Sequence, residues 1–402
     1  MENWAELDRR YLMPTYSSLK LPIAIEKGEG NYLYDTEGKA YLDLFTGLAV
    51  NVVGHSHPKI VRALKEQGER FLHISNVYLN PPAIRLAKRL SDLTIGGKVF
   101  FTNSGAEASE AAVKFIHKYQ QKKAPDREGI VVLKKGFHGR TLGALKLTRQ
   151  PGVYQDFPLP PYKIIEIEPG NFEELEEAIK QKPLAVLMEP VLGSAGIYPL
   201  PEDYLQKAEE LCKTNHVLLC MDEIQTGIGR TGTLFAYEQA GIEPDLILFA
   251  KGVGGGLPLG GIISKPDLSD LFAPGDHGTT FAPSPLSSAL GNTVLDILLE
   301  DGLLDRSRQV SSCLWGQLTD LKASCNHLIE DIRGKGFMTG IVLKGNPENA
   351  KTLRTNLLND GILIDVTQKT IIRLLPPLTL TNTDVDRFIE TFKKHLLSLD
   401  KG

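Results

Sequence analysis

The sequence predicts an α/β protein, with one large domain on a parallel sheet covered by helices and a smaller α+β domain assembled from both ends of the chain. Three observations carry this. Short apolar runs alternate with helical patterns through the middle of the chain, the signature of parallel strands joined by crossover helices. A β-meander pattern occupies roughly residues 20–50, while helices, two strand-like runs and an amphipathic helix follow residue 293 or so. Polar or glycine-rich segments follow the central apolar runs, and open sheets of this kind collect ligands beyond the carboxyl ends of their strands.

The elements follow in order. Pro22-Ile23-Ala24-Ile25-Glu26, Tyr32-Leu33-Tyr34-Asp35 and Tyr41-Leu42-Asp43-Leu44 alternate with turns, the second being Thr36-Glu37-Gly38-Lys39. Lys98 to Thr102 reads as a strand, and Ala108, Ala111, Ala112, Phe115, Ile116 and Tyr119 then form one face of a helix. Ile130 to Leu133 and Leu184 to Met188 read as buried strands, and Asp203 to Lys213 as a helix. That helix leads into the run Val217 to Met221, and a further run covers Leu246 to Ala250. Gly340 to Leu343 and Ile371 to Leu375 read as strands of the smaller domain, closed by a helix over about 384–397. The expected division is 1–60 and 293–402 for the small domain and 61–292 for the large one.

Composition narrows the function. The chain has 402 residues, 42% hydrophobic and 23% charged, with a formal net charge of −4. No basic surplus points to nucleic acid or an anionic membrane. Cys212, Cys220, Cys313 and Cys325 show neither CxxC nor metal-ligand spacing, so no metal is expected, and scattered thiols fit a reducing compartment. Residues 1–6 carry no basic start or apolar core, and no apolar run approaches the roughly 20 residues a membrane span needs. The expectation is a cytoplasmic protein.

The chemistry centres on Lys251 and Asp222. Lys251 follows one apolar run and precedes Gly252-Val253-Gly254-Gly255-Gly256, and Asp222 ends another. An amine that forms a Schiff base and a carboxylate that pairs with a protonated ring nitrogen are what a pyridoxal phosphate enzyme needs. Taken singly, each residue has an ordinary reading. Lys251 could be a solvated charge and Asp222 a helix N-cap. Ser104 with Glu107 fits a capping box as well as a phosphate cradle with Gly105 and Ala106. Phe137 could be core or could stack on a flat cofactor, and Arg140 and Arg373 could be surface charges or carboxylate clamps. Their joint occurrence at the ends of these runs favours the chemical reading.

With these motifs, Gly47-Leu48-Ala49-Val50-Asn51, Asp222-Glu223-Ile224-Gln225-Thr226-Gly227, His277-Gly278-Thr279-Thr280-Phe281 and Arg373-Leu374-Leu375-Pro376-Pro377-Leu378, the chain resembles the class III (subgroup II) pyridoxal phosphate aminotransferases. Within that class it is most similar to the acetylornithine aminotransferases. The resemblance implies fold type I, with a mainly parallel seven-stranded sheet, and a homodimer with shared active sites. It implies that Lys251 carries the cofactor and moves the proton. It also implies that Ser104, Gly105 and Ala106 hold the phosphate, Phe137 stacks on the ring and Asp222 pairs with its nitrogen. Gln225 would face the phenolic oxygen, with Glu223 and Ile224 in the same cofactor segment, and Thr280 would reach the neighbouring subunit's cofactor. Arg140, Thr279, Arg373, Glu189 and Tyr16 form the implied substrate set. The implied reaction transfers the ω-amine of N2-acetyl-L-ornithine to 2-oxoglutarate, running in reverse in arginine biosynthesis. Other implied readings are ornithine, succinylornithine or 4-aminobutyrate aminotransferase, or an aminomutase or decarboxylase on the same scaffold.

The chain departs from the family pattern. Where Glu-Pro-x-Gln-Gly-Glu-x-Gly is usual, it has Glu189-Pro190-Val191-Leu192-Gly193-Ser194-Ala195-Gly196. In related enzymes the second glutamate can pair with the arginine matching Arg373, so here Arg373 is either unmasked or has another partner. Ala282-Pro283-Ser284 replaces a more glycine-rich loop, and Ser109 stands where asparagine is usual.

Overall fold

The computed structural model describes residues 3–16, 20–150 and 152–399. A seven-stranded sheet forms its centre. In spatial order its strands are Val99–Thr102, Gly260–Ser264, Leu246–Phe249, Leu218–Asp222, Ala185–Met188, Ile130–Leu133 and Ile164–Ile167. The five strands from Leu246–Phe249 to Ile164–Ile167 run parallel. Gly260–Ser264 runs antiparallel to both its neighbours. Five of these strands match apolar runs in the sequence; Ile164–Ile167 and Gly260–Ser264 do not.

The central strands are buried on both faces, which is why they read as unbroken apolar runs. Alternate residues serve opposite layers. Leu218, Cys220, Leu246 and Leu248 pack with Ala112, Phe115 and Ile116 of helix Gly105–Lys123. Leu219, Met221, Ile247 and Phe249 join Tyr204, Leu205 and Ala208 of helix Glu202–Asn215. Burying side chains such as Phe115 and Ile116 contributes about 1.5–3 kcal/mol each. Helix Glu202–Asn215 ends where His216 turns left-handed at φ 54°, so the chain drops directly into strand Leu218–Asp222.

The two ends of the chain share a layer. Strands Ile25–Glu29, Tyr32–Asp35 and Ala40–Asp43 form the expected meander, and Ile362–Leu363 joins it in parallel beside Leu42 and Asp43. A second four-stranded sheet orders Ile329–Lys335, Met338–Leu343, Ile371–Leu374 and Asp365–Thr367. Helix Asn382–Ser398 closes the chain, its Phe388 and Phe392 buried.

After the meander the backbone makes an unusual turn. Thr46, Leu48 and Ala49 all take positive φ (49°, 69° and 69°), a region that costs L-residues roughly 1–2 kcal/mol each. The turn is pinned from both sides. Asp43 accepts the Thr46 amide at 2.8 Å, and the Thr46 hydroxyl donates to the Leu375 carbonyl at 2.7 Å. The result sets Val50 at the wall of the central cavity.

Candidate active site

A cavity of about 460 Å³ opens at the carboxyl ends of the parallel strands, as the sheet topology requires. Asn103 to Ala106, Phe137 to Arg140, Glu189, Ser194, Asp222, Gln225 and Lys251 all line it. They come from the ends of several strands and the loops that follow them.

Lys251 follows strand Leu246–Phe249 and takes a left-handed φ of 50°, held by the short helical turn Lys251–Gly254. Burial pulls its pKa down to about 8 against the opposing charges of Asp222 and Glu189, with Arg373 and Arg230 assisting the decrease. A fair share of this amine is therefore neutral near physiological pH, as a nucleophile or base must be.

Asp222 ends its strand with its carboxylate sealed from solvent. No helix follows it, so it is not an N-cap; turns follow instead, and its Oδ1 accepts the Ile224 amide at 3.1 Å. Its Oδ2 accepts from His138 Nδ1 at 2.6 Å. The His138 ring is fully buried; burial lowers its pKa, but the Asp222 hydrogen bond and charge outweigh this and raise it overall. Ser109 Oγ donates to the His138 carbonyl at 2.6 Å, and the His138 amide donates to Thr148 Oγ1 at 3.0 Å, which fixes the ring's backbone. His138 is a site residue that the sequence reading passed over, between the two neighbours it singled out.

Glu189 is buried, and its carboxylate spans two loops. Oε1 accepts the Phe137 amide at 2.9 Å and Oε2 the Gly193 amide at 3.3 Å. Burial pushes its pKa up to about 7, opposed by His138 and reinforced by Asp222. The Arg140 guanidinium lies 5.8 Å from the centre of the Phe137 ring at the exposed edge of the cavity.

Helix Gly105–Lys123 points its first turn at the cavity. Ser104 Oγ accepts the Glu107 amide at 3.2 Å, which is half of a capping box. The Glu107 carboxylate returns to the Asn103 amide at 2.7 Å, one residue earlier than a capping box requires. The amides of Gly105 and Ala106 precede the first internal helical bond and so face outward, an anion-binding arrangement. A Cβ at Gly105 would sit 2.9 Å from Ile224 Cγ2, so the cradle requires glycine. A cationic aromatic ring bearing a phosphate fits this donor set: an anion cradle, a flanking phenyl ring, a buried carboxylate and a desolvated amine.

Other sequence candidates lie elsewhere. Glu223 turns away from the cavity because strand alternation sends it to the opposite face. Its carboxylate accepts from the Thr226 hydroxyl and from the Tyr237 amide at 2.7 Å, and burial raises its pKa to about 7. Thr279 takes a hydrogen bond from Asn103 Nδ2 at 3.0 Å just beyond the cavity walls. Thr280 and Tyr16 are exposed and outside this chain's own cavity lining. Arg373 has a partner: its Nε and Nη2 reach Asp365 Oδ2 at 2.9 and 2.7 Å.

The comparisons agree with this geometry. The family model described as aminotransferase class-III matches residues 15–396. An acetylornithine aminotransferase of Methanocaldococcus jannaschii is 40% identical over 100% of this chain and 99% of its own. A succinylornithine transaminase of Salmonella typhimurium is 38% identical over 95% of this chain and 93% of its own. An ornithine aminotransferase from Toxoplasma gondii, with PLP at its active site, superposes with a TM-score of 0.94 at 28% identity, covering 99% of this chain and 94% of that one.

Proposed function

The chain belongs to the class-III aminotransferases, enzymes that use pyridoxal 5'-phosphate with an amino donor and a keto acid, and we propose that its donor is N2-acetyl-L-ornithine and its acceptor 2-oxoglutarate. The products are N-acetyl-L-glutamate 5-semialdehyde and L-glutamate. The observation that carries this is the 40% identity, across the whole chain, to an acetylornithine aminotransferase. In the same reading the enzyme serves arginine biosynthesis in the cytoplasm as a homodimer. Among the described residues no helix is long and apolar enough to cross a membrane. The pairing of Ile362–Leu363 with Ala40–Asp43 supports a small domain made from residues 1–60 and 293–402 around a large one of 61–292.

When bound, pyridoxal phosphate supplies a cationic ring that takes up the electrons of the breaking C–H bond and a carbon that carries the amino group between substrates. The first turn of helix Gly105–Lys123 and Ser104 would receive the phosphate. Phe137 would cover one face of the ring, and Asp222 would hold a proton on its nitrogen. Gln225 would face the ring's phenolic oxygen. Arg140, beside Phe137 at the cavity mouth, would take the donor's α-carboxylate and so aim its far amine inward. The neutral amine of Lys251 would remove the proton from the donor's Cδ. Thr280, exposed on this chain, would complete the partner subunit's site.

The 38% identity to a succinylornithine transaminase supports a second reading, a donor with a longer and charged acyl group. Leu192 and Ser194 lie where the family pattern has glutamine and glutamate, and Ser194 lines the cavity. Mixing the holoenzyme separately with N2-acetylornithine, succinylornithine, ornithine and 4-aminobutyrate, and following the absorption of the lysine-bound cofactor, tests both. Fast loss of that band with acetylornithine, restored by 2-oxoglutarate, is the expected result. A faster response to succinylornithine would overturn the first reading.

A further inference from the structure

We propose that Glu110 is a positioning residue for the donor's α-carboxylate, reaching from helix Gly105–Lys123 to fix the loop that carries Arg140. This rests on the reading above in which Arg140 receives that carboxylate. Arg140 lies at the mouth of the cavity, and it, Thr141 and Leu142 are all exposed. A clamp on a loose loop would lose its aim, and a small misplacement of a substrate-holding group costs much of its effect. The backbone on either side of Arg140 must therefore be held.

Helix Gly105–Lys123 holds it with two consecutive side chains. Ser109 Oγ donates to the His138 carbonyl at 2.6 Å, ahead of Arg140 in the chain. Glu110 Oε1 accepts the amides of Gly143 and Ala144 at 2.8 and 3.2 Å, behind it. Those amides belong to the first turn of the short helix Leu142–Leu147, whose N-cap residue Thr141 makes no side-chain capping bond. The cap comes instead from a neighbouring helix, and it is a carboxylate, whose bonds to amides are the stronger kind. The Tyr162 hydroxyl donates to the Gly143 carbonyl at 2.6 Å, so Gly143 is held through both its amide and its carbonyl. A Cβ at Gly143 would sit 2.2 Å from Glu110 Oε2, so the carboxylate lies over this turn only because position 143 is glycine. The first turn of the same helix, with Gly105 and Ala106, faces the cavity. One rigid element thus sets the spacing between the phosphate cradle and the carboxylate clamp.

The test compares N2-acetylornithine with N-(4-aminobutyl)acetamide, which is the same donor without its α-carboxylate. The donor half-reaction of the holoenzyme, followed in single turnover, gives a half-saturation concentration and a limiting rate for each. Glu110→Ala should raise the half-saturation concentration for N2-acetylornithine about tenfold and leave its limiting rate near wild type. Both values for N-(4-aminobutyl)acetamide should stay unchanged. Glu110→Gln, which keeps an acceptor oxygen for the two amides, should restore most of the loss. Equal damage with both donors overturns the proposal, as does no change with either. Should Glu110→Ala not fold, Gly143→Ala decides, because its methyl group displaces only the flexible end of the Glu110 side chain and must produce the same selective loss. Failure of the Arg140 reading would look different. Wild type would then bind the two donors equally well, Arg140→Ala would leave that balance unaltered, and the proposal would fall with the reading.

Discussion

His138 Nδ1 donates to Asp222 Oδ2 across 2.6 Å, with both side chains shielded from water. The imidazole steadies the charge of Asp222 through this bond. It is a positioning residue. Hydrogen bonds to charged groups are worth about 1.5–3 kcal/mol, or roughly tenfold to a hundredfold in rate. His138→Ala is therefore expected to lower kcat by that factor while leaving the donor's KM nearly unchanged. Steady-state kinetics, with the cofactor spectrum recorded across pH, checks it. A purely structural role would lower stability without shifting that pH profile.

The depressed pKa of Lys251 sets how fast the apoprotein captures its cofactor. Only the neutral amine attacks a carbonyl carbon, so the capture rate should rise about tenfold per pH unit up to about 8 and then level off. Stopped-flow mixing of apoprotein with pyridoxal phosphate measures this. The linkage sign follows from the same shift. Between about 8 and the ordinary lysine value of 10.5 the unfolded chain holds a proton that the folded apoprotein has lost. The cost of burying the charged Lys251 amine is thus relieved as pH rises through that window, and denaturant melts should show wild type gaining stability relative to Lys251→Met there.

Gly139 has φ 133°, and a Cβ on it would lie 3.0 Å from the Ala106 Cα and 2.9 Å from the Ala144 Cβ. Gly139→Ala should cost about 1–3 kcal/mol of stability. It should also weaken cofactor retention, because the side chain presses on the first turn of helix Gly105–Lys123. Chemical denaturation of the apoprotein and dialysis of the holoenzyme report the two effects separately.

The proposed sharing of active sites between two copies of the chain has an arithmetic consequence. Lys251→Ala and Thr280→Val should each be impaired as homodimers. Unfolded together and refolded at equal ratio, half the dimers become mixed, and each mixed dimer regains one intact site. Activity should then recover to about a quarter of wild type. No recovery would mean that each chain serves only its own cofactor.

Much of the site was legible in the sequence because the strands that carry it are buried on both faces. Continuous apolar runs pointed directly to the residues at their ends, including Asp222 and Lys251. Gly260–Ser264 escaped because two glycines read as a loop. They are needed there because a Cβ at Gly261 would come 2.4 Å from the Phe100 carbonyl. Ile164–Ile167 lies at the sheet edge, half-buried and too short for a clear pattern. Glu223 was grouped with the cofactor segment by adjacency, although a strand turns neighbours to opposite faces. Asp365 carries no motif at all. Its pairing with Arg373 depends on the register of two strands, which only the assembled sheet fixes.

The parallel pairing of Ile362–Leu363 with Ala40–Asp43 has a consequence during synthesis. The central sheet is complete once residue 264 has left the ribosome, and its helices can already close over it. The meander made at the start must wait, one edge open, for a strand translated near the end. The left-handed turn at Thr46 waits with it, since its anchor at Leu375 is made later still. The wall that includes Val50 is therefore finished last, and the nascent chain carries an incomplete cofactor site until almost all of it has been translated.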